Sequence, residues 1–401
     1  MLFLAIKQVQ EEQMLTAGVI AEYNPFHNGH KYQLDKTRQM GASHIVAVMS
    51  GAAVQRGDIA VADKFERAQA ALKNGADLVI ELPCPYSCAS AERFARAGVR
   101  LLAGLGEHVV NRLSFGSECG DITKLKAAAR LSRELEKSDT VKELTAKGRS
   151  YPSAVSKAAA EHDMGGIFEQ PNNMLGIEYI KALETAAPWI EPVCVKRKGA
   201  EHDSGDIKDN ITSASAIRQM IAKGSDYSAY VPDTLTGRAF FLKNADKAVL
   251  MKLMTAGEEL TRLPDMSAEL VQRFLNIRDK HRAEIRSADD LAILFKNKSV
   301  TLARVRRMIL NITLGIRADD FFDIPYGRIL AFNKRGSEIL AIAKGKSTLM
   351  YDTSLAELEK ISSQAARISE LEQRAVSLQQ LCVKGEPEFI SEYTRKITIC
   401  R

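Results

Sequence analysis

The sequence predicts an α/β fold with a parallel sheet in its first part and a mostly α-helical second part. From residue 17 onward, short apolar runs alternate with amphipathic helical stretches, which is typical of a parallel sheet whose strands are joined by helices. After residue 230 this alternation stops, and prolines and glycines separate mainly helical patterns. A chain of 401 residues has room for about two to three domains. We therefore divide it into an N-terminal tail (1–16), an α/β domain (17–230) and a helical C-terminal domain (231–401).

The predicted elements follow one another along the chain. Apolar runs predict strands at residues 17–21, 44–49, 77–82, 112–115 and 192–196. Amphipathic stretches between them predict helices at residues 29–40, 63–73, 89–105 and 121–147. The helix at 63–73 has an N-cap candidate in Asp63 and a stop signal at Asn74-Gly75, so its two ends agree. In the second part the clearest helices are predicted at residues 268–286, 301–314 and 355–381.

Composition excludes several classes of protein. Hydrophobic residues make up 45% and charged residues 26% of the chain, close to the averages of globular proteins, so a wholly disordered, collagen-like or coiled-coil chain is excluded. No run of about 18 apolar residues occurs, and we predict a cytoplasmic protein with no membrane partner. The cysteines are too sparse for a disulfide scaffold. Cys84 and Cys88 lack a second ligand pair, so we predict no metal site.

The net charge of +6 is unevenly distributed along the chain. Residues 236–401 contain 28 Lys and Arg but 21 Asp and Glu, whereas the first 235 residues carry a slight negative excess. A polyanion partner and an ordinary solvated surface explain an excess of this size equally well.

The stretch from Gly18 to His30 carries the most chemical information. A predicted strand ends near Glu22, Asn24-Pro25 turns the chain, and a helix opens at Gly29, so His27 and His30 lie where the first free helical N–H groups point outward. Such a helix start binds anions, and two imidazoles there can donate hydrogen bonds to phosphoryl oxygens. This context favours a phosphate site over the alternative, a turn with two surface histidines.

A second cluster, Ile211-Thr-Ser-Ala-Ser-Ala-Ile-Arg218, opens a later helix. N-capping alone would explain Thr212 or Ser213. The additional hydroxyl group of Ser215 and the guanidinium of Arg218 suggest a further role, in which they hold the β and γ phosphates of a nucleotide and neutralise departing pyrophosphate.

Together these motifs resemble a known superfamily. His27-Asn-Gly-His30 at a first strand-to-helix turn, followed late in the chain by Thr-Ser-Ala-Ser-Ala-Ile-Arg, resembles the nucleotidyltransferases that share a Rossmann-like fold with class I aminoacyl-tRNA synthetases. Further motifs narrow the resemblance to the bacterial tRNA(Met) cytidine acetate ligase family over about residues 17–225. They are Met49-Ser-Gly51, Gln55-Arg-Gly57, Gly75-Ala-Asp-Leu-Val-Ile-Glu-Leu-Pro83, Phe115-Gly-Ser-Glu118, Pro171-Asn-Asn173 and Gly176-Ile-Glu-Tyr179.

The resemblance implies a two-step ligase reaction. Acetate attacks the α-phosphate of ATP to give acetyl-adenylate and pyrophosphate, and the N4 amine of the wobble cytidine of elongator tRNA(Met) then takes the acetyl group to form N4-acetylcytidine. Such chemistry needs positioning and charge stabilisation, with Mg²⁺ as a plausible helper.

The resemblance also implies which residues form the site. His27, His30 and Arg218 would be catalytic. The ATP-binding residues would be Ile20, Ala21, Glu22, Tyr23, Asn24, Pro25, Phe26, His27, Asn28, Gly29, His30, Lys31, Tyr32, Gln33, Gly116, Asn172, Asn173, Arg197, Ser213 and Ser215. Gly116 would let the nucleotide approach the backbone, and either Asn172 or Asn173 would contact it. The alternatives are that Gly116 only serves a turn, the asparagines only cap the next helix, and Arg197 is only solvated.

Weaker candidates are basic side chains on helices. Lys64 and Arg67 share a helix face and could meet RNA phosphates or simply water. Gln55 and Arg56, which precede that helix, are further weak candidates. In the predicted helix at 301–314, three arginines form a patch for tRNA or a solvated surface. They are Arg304 and Arg307 on one face and Arg306 to the side, preceded by Lys296 and Lys298.

Two other functions remain open at this point. One is a nucleotidyltransferase that moves AMP or CMP onto a small phosphorylated metabolite, although the long second part argues for a macromolecular acceptor. The other is a non-catalytic RNA-binding protein with a nucleotide pocket, which the intact His27/His30 pair disfavours.

Overall fold

The computed structural model describes residues 14–198 and 210–400. Its strands are β1 (Thr16–Ala21), β2 (His44–Ser50), β3 (Ala53–Val54), β4 (Asp58–Ile59), β5 (Leu78–Leu82), β6 (Arg112–Ser117), β7 (Glu191–Lys196), β8 (Tyr326–Phe332), β9 (Met350–Asp352) and β10 (Thr398–Ile399). The five strands predicted from the sequence correspond to β1, β2, β5, β6 and β7. The predicted tail at 1–16 falls mostly on residues outside the described part of the chain.

The helices of the first part are α1 (Asn28–Gln39), α2 (Lys64–Lys73), α3 (Ala91–Ala103), α4 (Ile122–Lys137), α5 (Asp139–Ala146), α6 (Tyr151–Ala160), α7 (Gly165–Phe168), α8 (Pro171–Ala186) and α9 (Ala214–Lys223). Those of the second part are α10 (Asp246–Thr255), α11 (Ala268–Lys280), α12 (Ala288–Phe295), α13 (Leu302–Leu314), α14 (Lys334–Ala343), α15 (Leu355–Leu358) and α16 (Ser363–Leu381). Two segments that were each predicted as one long helix are divided into shorter helices in the structure. The segment 121–147 breaks at Ser138, whose hydroxyl caps α5, and the segment 355–381 divides into α15 and α16.

The described strands form one large mixed sheet in the order β10-β8-β5-β2-β1-β6-β7, with β9 beside β8, and β3 pairs separately with β4. The neighbours from β5 to β7 run parallel, as predicted. The second part is mainly helical, as predicted, but it also supplies β8, which the sequence analysis did not identify and which joins the sheet antiparallel to β5. The α/β fold is confirmed, while the proposed division of the chain at residue 230 stays a prediction.

Burial explains why these strands form. A strand covered on both faces can be apolar throughout, and every residue of β2 and β5 is buried. Helix α3 packs against β1 at small residues, since a Cβ at Gly98 would lie 2.7 Å from Ile20 Cδ1. A further apolar cluster joins α10 to α13 and α16 and reaches the loops after β2 and β5.

The strand order positions a ligand site. Chain connections run from β1 outward to β2 and β5 on one side, and then return to β6 and β7 on the other. In open α/β sheets, ligands bind in the crevice at the carboxyl ends of the strands where the order reverses. Here that crevice lies at the end of β1, directly before the His27/His30 loop.

Buried charges join the second part of the chain to this sheet. Lys64 Nζ of α2 lies 2.5 Å from Glu81 Oε1 of β5 and 3.0 Å from Glu372 Oε1 of α16. Glu392 contacts both Lys64 and Arg328 of β8. Burial raises the pKa of Glu81, against the opposing effect of Lys64. For Glu372, burial is outweighed by Lys64 and by the N–H groups of Cys84 and Ala52, so its pKa is lowered.

We predict that Lys64→Met lowers the free energy of unfolding by about 3–5 kcal/mol at neutral pH, because it leaves buried carboxylates without their partner. Urea denaturation measures this. The matched control is Lys360→Met, whose pair with Glu357 is exposed to solvent, so its loss should leave the free energy of unfolding nearly unchanged. Equal effects of the two substitutions would contradict the structural role assigned to Lys64.

Candidate active site

The loop after β1 (residues 22–27, the imidazole loop) places the two imidazoles at the start of α1. His27 is the N-cap of this helix, and its Nδ1 accepts a hydrogen bond from the Gly29 N–H at 3.0 Å. His30 Nδ1 accepts from the His27 N–H at 3.3 Å. The two rings stack with their centroids 3.8 Å apart. His27 is buried and His30 half-buried, so the alternative of two surface histidines is wrong.

These hydrogen bonds assign the protonation state of both rings. An Nδ1 that accepts an N–H carries no proton, so each neutral imidazole has its proton on Nε2. Burial lowers the pKa of His27 to about 3, and the charges of Arg197 and Arg218 lower it further. Burial also holds the pKa of His30 well below its usual value, with His27 and Arg197 adding to the shift. The pair therefore offers two neutral N–H donors.

Helix α9 brings Arg218 against the same loop. Ser213 caps α9 by accepting from the Ala216 N–H, and its hydroxyl lies 3.0 Å from that of Ser215. Arg218 Nη1 donates to Asn24 O at 2.8 Å. Burial lowers the pKa of Arg218, against the opposing effect of Glu22 and Asp58.

Asn28 forms further hydrogen bonds between this loop and the segments that precede and follow α9. Its side-chain amide donates to Asn210 O at 2.9 Å and to Ala229 O at 3.0 Å. Gly29 lies on the same side, where an added Cβ would meet the His27 ring at 2.8 Å. A side chain at position 29 would therefore displace the ring that caps the helix.

The ends of β6 and β7 supply the next group of predicted residues. A Cβ on Gly116 would approach Arg197 Cγ to 3.3 Å, so the missing side chain leaves room for Arg197. Burial lowers the pKa of this arginine, with Glu118 opposing. Its Nε is buried and has no hydrogen-bond partner within the described residues, although the residue as a whole is half-buried. Contact of Arg197 with a nucleotide stays a prediction.

The two asparagines form a reciprocal network with Glu118. Glu118 accepts from the N–H and the side-chain amide of Asn172 and from the Asn173 N–H. Asn173 Oδ1 accepts in return from the N–H groups of Glu118 and Cys119. Helix α8 therefore receives its N-terminal acceptor from Glu118, and the alternative that the asparagine side chains cap it is wrong. Their contact with a nucleotide stays a prediction.

The remaining predicted ATP-binding residues form two groups, one largely buried in the loop after β1 and one nearer the protein surface on α1. Ile20, Tyr23, Asn24, Pro25 and Phe26 are buried, whereas Ala21 and Glu22 are half-buried. Toward the rim, Lys31 pairs with Asp35, Gln33 donates to Ser114 O, and Tyr32 lies 5.0 Å from Lys198 Nζ.

Polar and charged residues around Glu22 complete the site, and sequence reasoning gave one of them, Arg67, the wrong role. Glu22 Oε1 accepts from the Gln55 N–H at 2.9 Å, and burial raises its pKa despite the arginines nearby. Arg67 is buried and donates to the carbonyl groups of Glu22, Ser50 and Gly51. The prediction that Lys64 and Arg67 meet RNA or water is therefore wrong. The positions of such long-range partners leave no signal in a local helical pattern.

The predicted basic patch on α13 is partly occupied by protein contacts. Arg304 donates to Asp265 O, and Arg306 pairs with Asp289. Burial lowers the pKa of Arg307. Contact of this helix with tRNA stays a prediction. Within the described part of the chain, no helix has the length and apolarity needed to cross a membrane.

Comparisons with known proteins agree with this geometry. The model of a family described as HIGH Nucleotidyl Transferase matches residues 14–392, so the fold and the paired imidazoles define a nucleotidyltransferase of this type. The chain is 34% identical to a tRNA(Met) cytidine acetate ligase of Alkaliphilus metalliredigens, over 96% of this chain and 99% of that protein. It is also 34% identical to one of Acetivibrio thermocellus, over 96% and 100%. The chain therefore belongs to the tRNA(Met) cytidine acetate ligase family and is an enzyme.

Solved structures give the same result. A crystal structure of Thermotoga maritima TmcAL bound with alpha-thio ATP superposes with a TM-score of 0.84 at 26% identity, over 96% of this chain and 99% of that one. The apo form of the same protein gives a TM-score of 0.85 at 28% identity, with the same coverage. The resemblance stated from the motifs is thus confirmed.

We predict that His27 and His30 are both neutral Nε2–H tautomers from pH 7.5 down to 5.5 in the nucleotide-free protein. Their unfolded counterparts gain protons below about pH 6.5, so the stability that the neutral rings contribute is lost as pH falls below that value toward 3. Nitrogen-15 NMR of the histidine rings measures the tautomers, with His27→Gln and His30→Gln for assignment. Titration of either ring near pH 6.5 would contradict the assignment.

Proposed function

We propose that this chain uses ATP to activate acetate as acetyl-adenylate, and then acetylates N4 of the wobble cytidine of elongator tRNA(Met). The observation that carries the proposal is the pair of neutral imidazole donors beside Arg197 and Arg218, at the carboxyl end of β1. The family supports the substrates, because its curated members are named tRNA(Met) cytidine acetate ligases. The alpha-thio ATP in the Thermotoga maritima relative supports ATP as the nucleotide.

In the first step, an acetate oxygen attacks the α-phosphorus of ATP and the bond to the β-phosphate oxygen breaks. The Nε2–H groups of His27 and His30 donate to phosphoryl oxygens as negative charge grows in the transition state. Neutral donors suit this task, because they stabilise the oxygens without transferring a proton. Arg218, fixed by its bond to Asn24 O, and Arg197 neutralise the departing pyrophosphate.

In the second step, the cytidine N4 amine attacks the acetyl carbonyl carbon, the bond to AMP breaks, and the amine loses a proton to solvent. Positioning dominates this step, since the adenylate is already a reactive acyl donor. The unpaired Nε of Arg197 is a donor that a bound phosphate would satisfy. Its burial without a partner fits a ligand-binding role.

A magnesium ion would fit this site as part of an ATP complex. No group of three or more metal-ligating side chains occurs in residues 14–198 and 210–400. Magnesium in nucleotide sites is held mainly by substrate phosphates, water and one or two carboxylates, and Glu22 on the imidazole loop is the candidate protein ligand. When bound, the ion would supply further neutralisation of phosphate charge.

The second part of the chain is the proposed tRNA-binding region. It contains the positive excess of the sequence, and the exposed Lys296 and Lys298 precede α13. Phosphate contacts of this kind give affinity that falls with added salt. We therefore extend the proposed tRNA surface from the site toward α13.

The proposed activity predicts that label from acetate enters unmodified tRNA(Met) only when ATP is present. His27→Ala combined with His30→Ala should reduce incorporation at least about 100-fold, since even one transition-state donor contributes that much. His108→Ala, whose exposed ring precedes β6 at the opposite edge of the sheet, is the matched control. Incorporation that requires acetyl-CoA, or that survives the double substitution, would refute the proposal.

A second assay separates this activity from the two alternatives. ATP–pyrophosphate exchange should depend on acetate and proceed without RNA. Exchange that does not depend on acetate but requires a phosphorylated metabolite would indicate nucleotidyl transfer instead. Binding of nucleotide and tRNA without any exchange would indicate a non-catalytic protein.

A further inference from the structure

The small hairpin formed by β3 and β4 stands beside the candidate active site. At its turn, the Gly57 N–H donates to Val54 O at 3.0 Å. The Gln55 N–H donates to Glu22 Oε1, so the hairpin is held against the end of β1. This contact fixes one side of the turn next to the imidazole loop.

The other side of the turn is fixed by the second part of the chain. Gly57 has a φ of +75°, and a Cβ there would overlap the α13 backbone at Arg306 and Arg307. The hairpin is therefore confined between the imidazole loop and α13, and little space remains for it to move.

Arg56 lies between these two fixed residues, Gln55 and Gly57. Its side chain is exposed, and in the described part of the chain it forms no hydrogen bond or ion pair. Burial raises the pKa of Glu22 and lowers the pKa values of Arg197 and Arg218. The charge of Arg56 opposes the first of these shifts and adds to the other two. Glu22 is the carboxylate that the charge of Arg56 reaches in the protein without ligand. An exposed guanidinium beside two other arginines can bind a polyanion together with them.

We propose that Arg56 is a third phosphate-binding arginine, which contacts the β and γ phosphates of ATP and the pyrophosphate that they become. The inference rests on the proposed function and assigns it a further catalytic residue. The neutral imidazoles add no charge, and Glu22 offsets part of the charge of Arg218. Two arginines therefore leave much of the triphosphate charge unbalanced, whereas a third one at the open side of the site reduces it.

The test compares binding of ATP and AMP by calorimetry, without acetate or RNA. Arg56→Ala should raise the Kd for ATP about 10-fold or more, the usual effect of losing a hydrogen bond to a charged group. It should leave the Kd for AMP within about twofold, since AMP lacks the β and γ phosphates. Arg56→Lys should recover part of the ATP affinity. The control is Arg335→Ala, an exposed arginine on α14, which begins beside Asp77 at the amino end of β5.

Each other outcome overturns the proposal. Unchanged ATP binding with weaker tRNA binding would make Arg56 an RNA contact, and equal losses for ATP and AMP would make its role structural. Thermal unfolding checks that Arg56→Ala is folded, and Arg56→Gln replaces it in the comparison otherwise. Failure of the proposed function is seen separately, as a lack of acetate-dependent pyrophosphate exchange in the unsubstituted protein.

Discussion

The hydrogen bonds that His27 and His30 accept at Nδ1 decide the chemistry of the candidate site. A helix start leaves its first N–H groups without partners, and here imidazoles rather than hydroxyl groups or carboxylates satisfy them. Protonation of a ring would remove its acceptor and place a charge beside Arg197 and Arg218. Capping, burial and nearby charge therefore favour the same neutral tautomer. As a result, the histidines provide oriented, neutral hydrogen-bond donors, and the arginines provide the positive charge of the site.

The second part of the chain supports the carboxyl edge of the sheet. Strand β8 extends the sheet beyond β5, and Glu372 of α16 accepts from the N–H groups of Ala52 and Cys84, in the loops after β2 and β5. Gln379 of the same helix donates to the carbonyl groups of Ala60 and Ala62. These loops border the site, so its geometry depends on residues more than 280 positions away in the sequence.

Local patterns predicted the parallel strands and the imidazole loop, because each of these features arises within a few neighbouring residues. They failed where the partners are distant. The apolar run of β8 between Pro325 and Asn333 contains no information on its antiparallel neighbour. Lys64 and Arg67 follow a helical spacing that is typical of exposed residues, and only the sheet and α16 bury them. The network of Glu118 with Asn172 and Asn173 likewise needs β6 and α8 to meet in space.

Charge balance connects the site to the second part of the chain. Glu22 and Asp58 offset the charge of Arg218, and the imidazoles are neutral, so a protein without ligand avoids a large uncompensated positive charge. A bound triphosphate changes this balance and requires cations that reach it from the open side. The hairpin that carries Arg56 is positioned by the close approach of Gly57 to α13. The helix proposed to meet tRNA therefore also determines where that cation lies, and any shift of α13 would change the electrostatics at the phosphates.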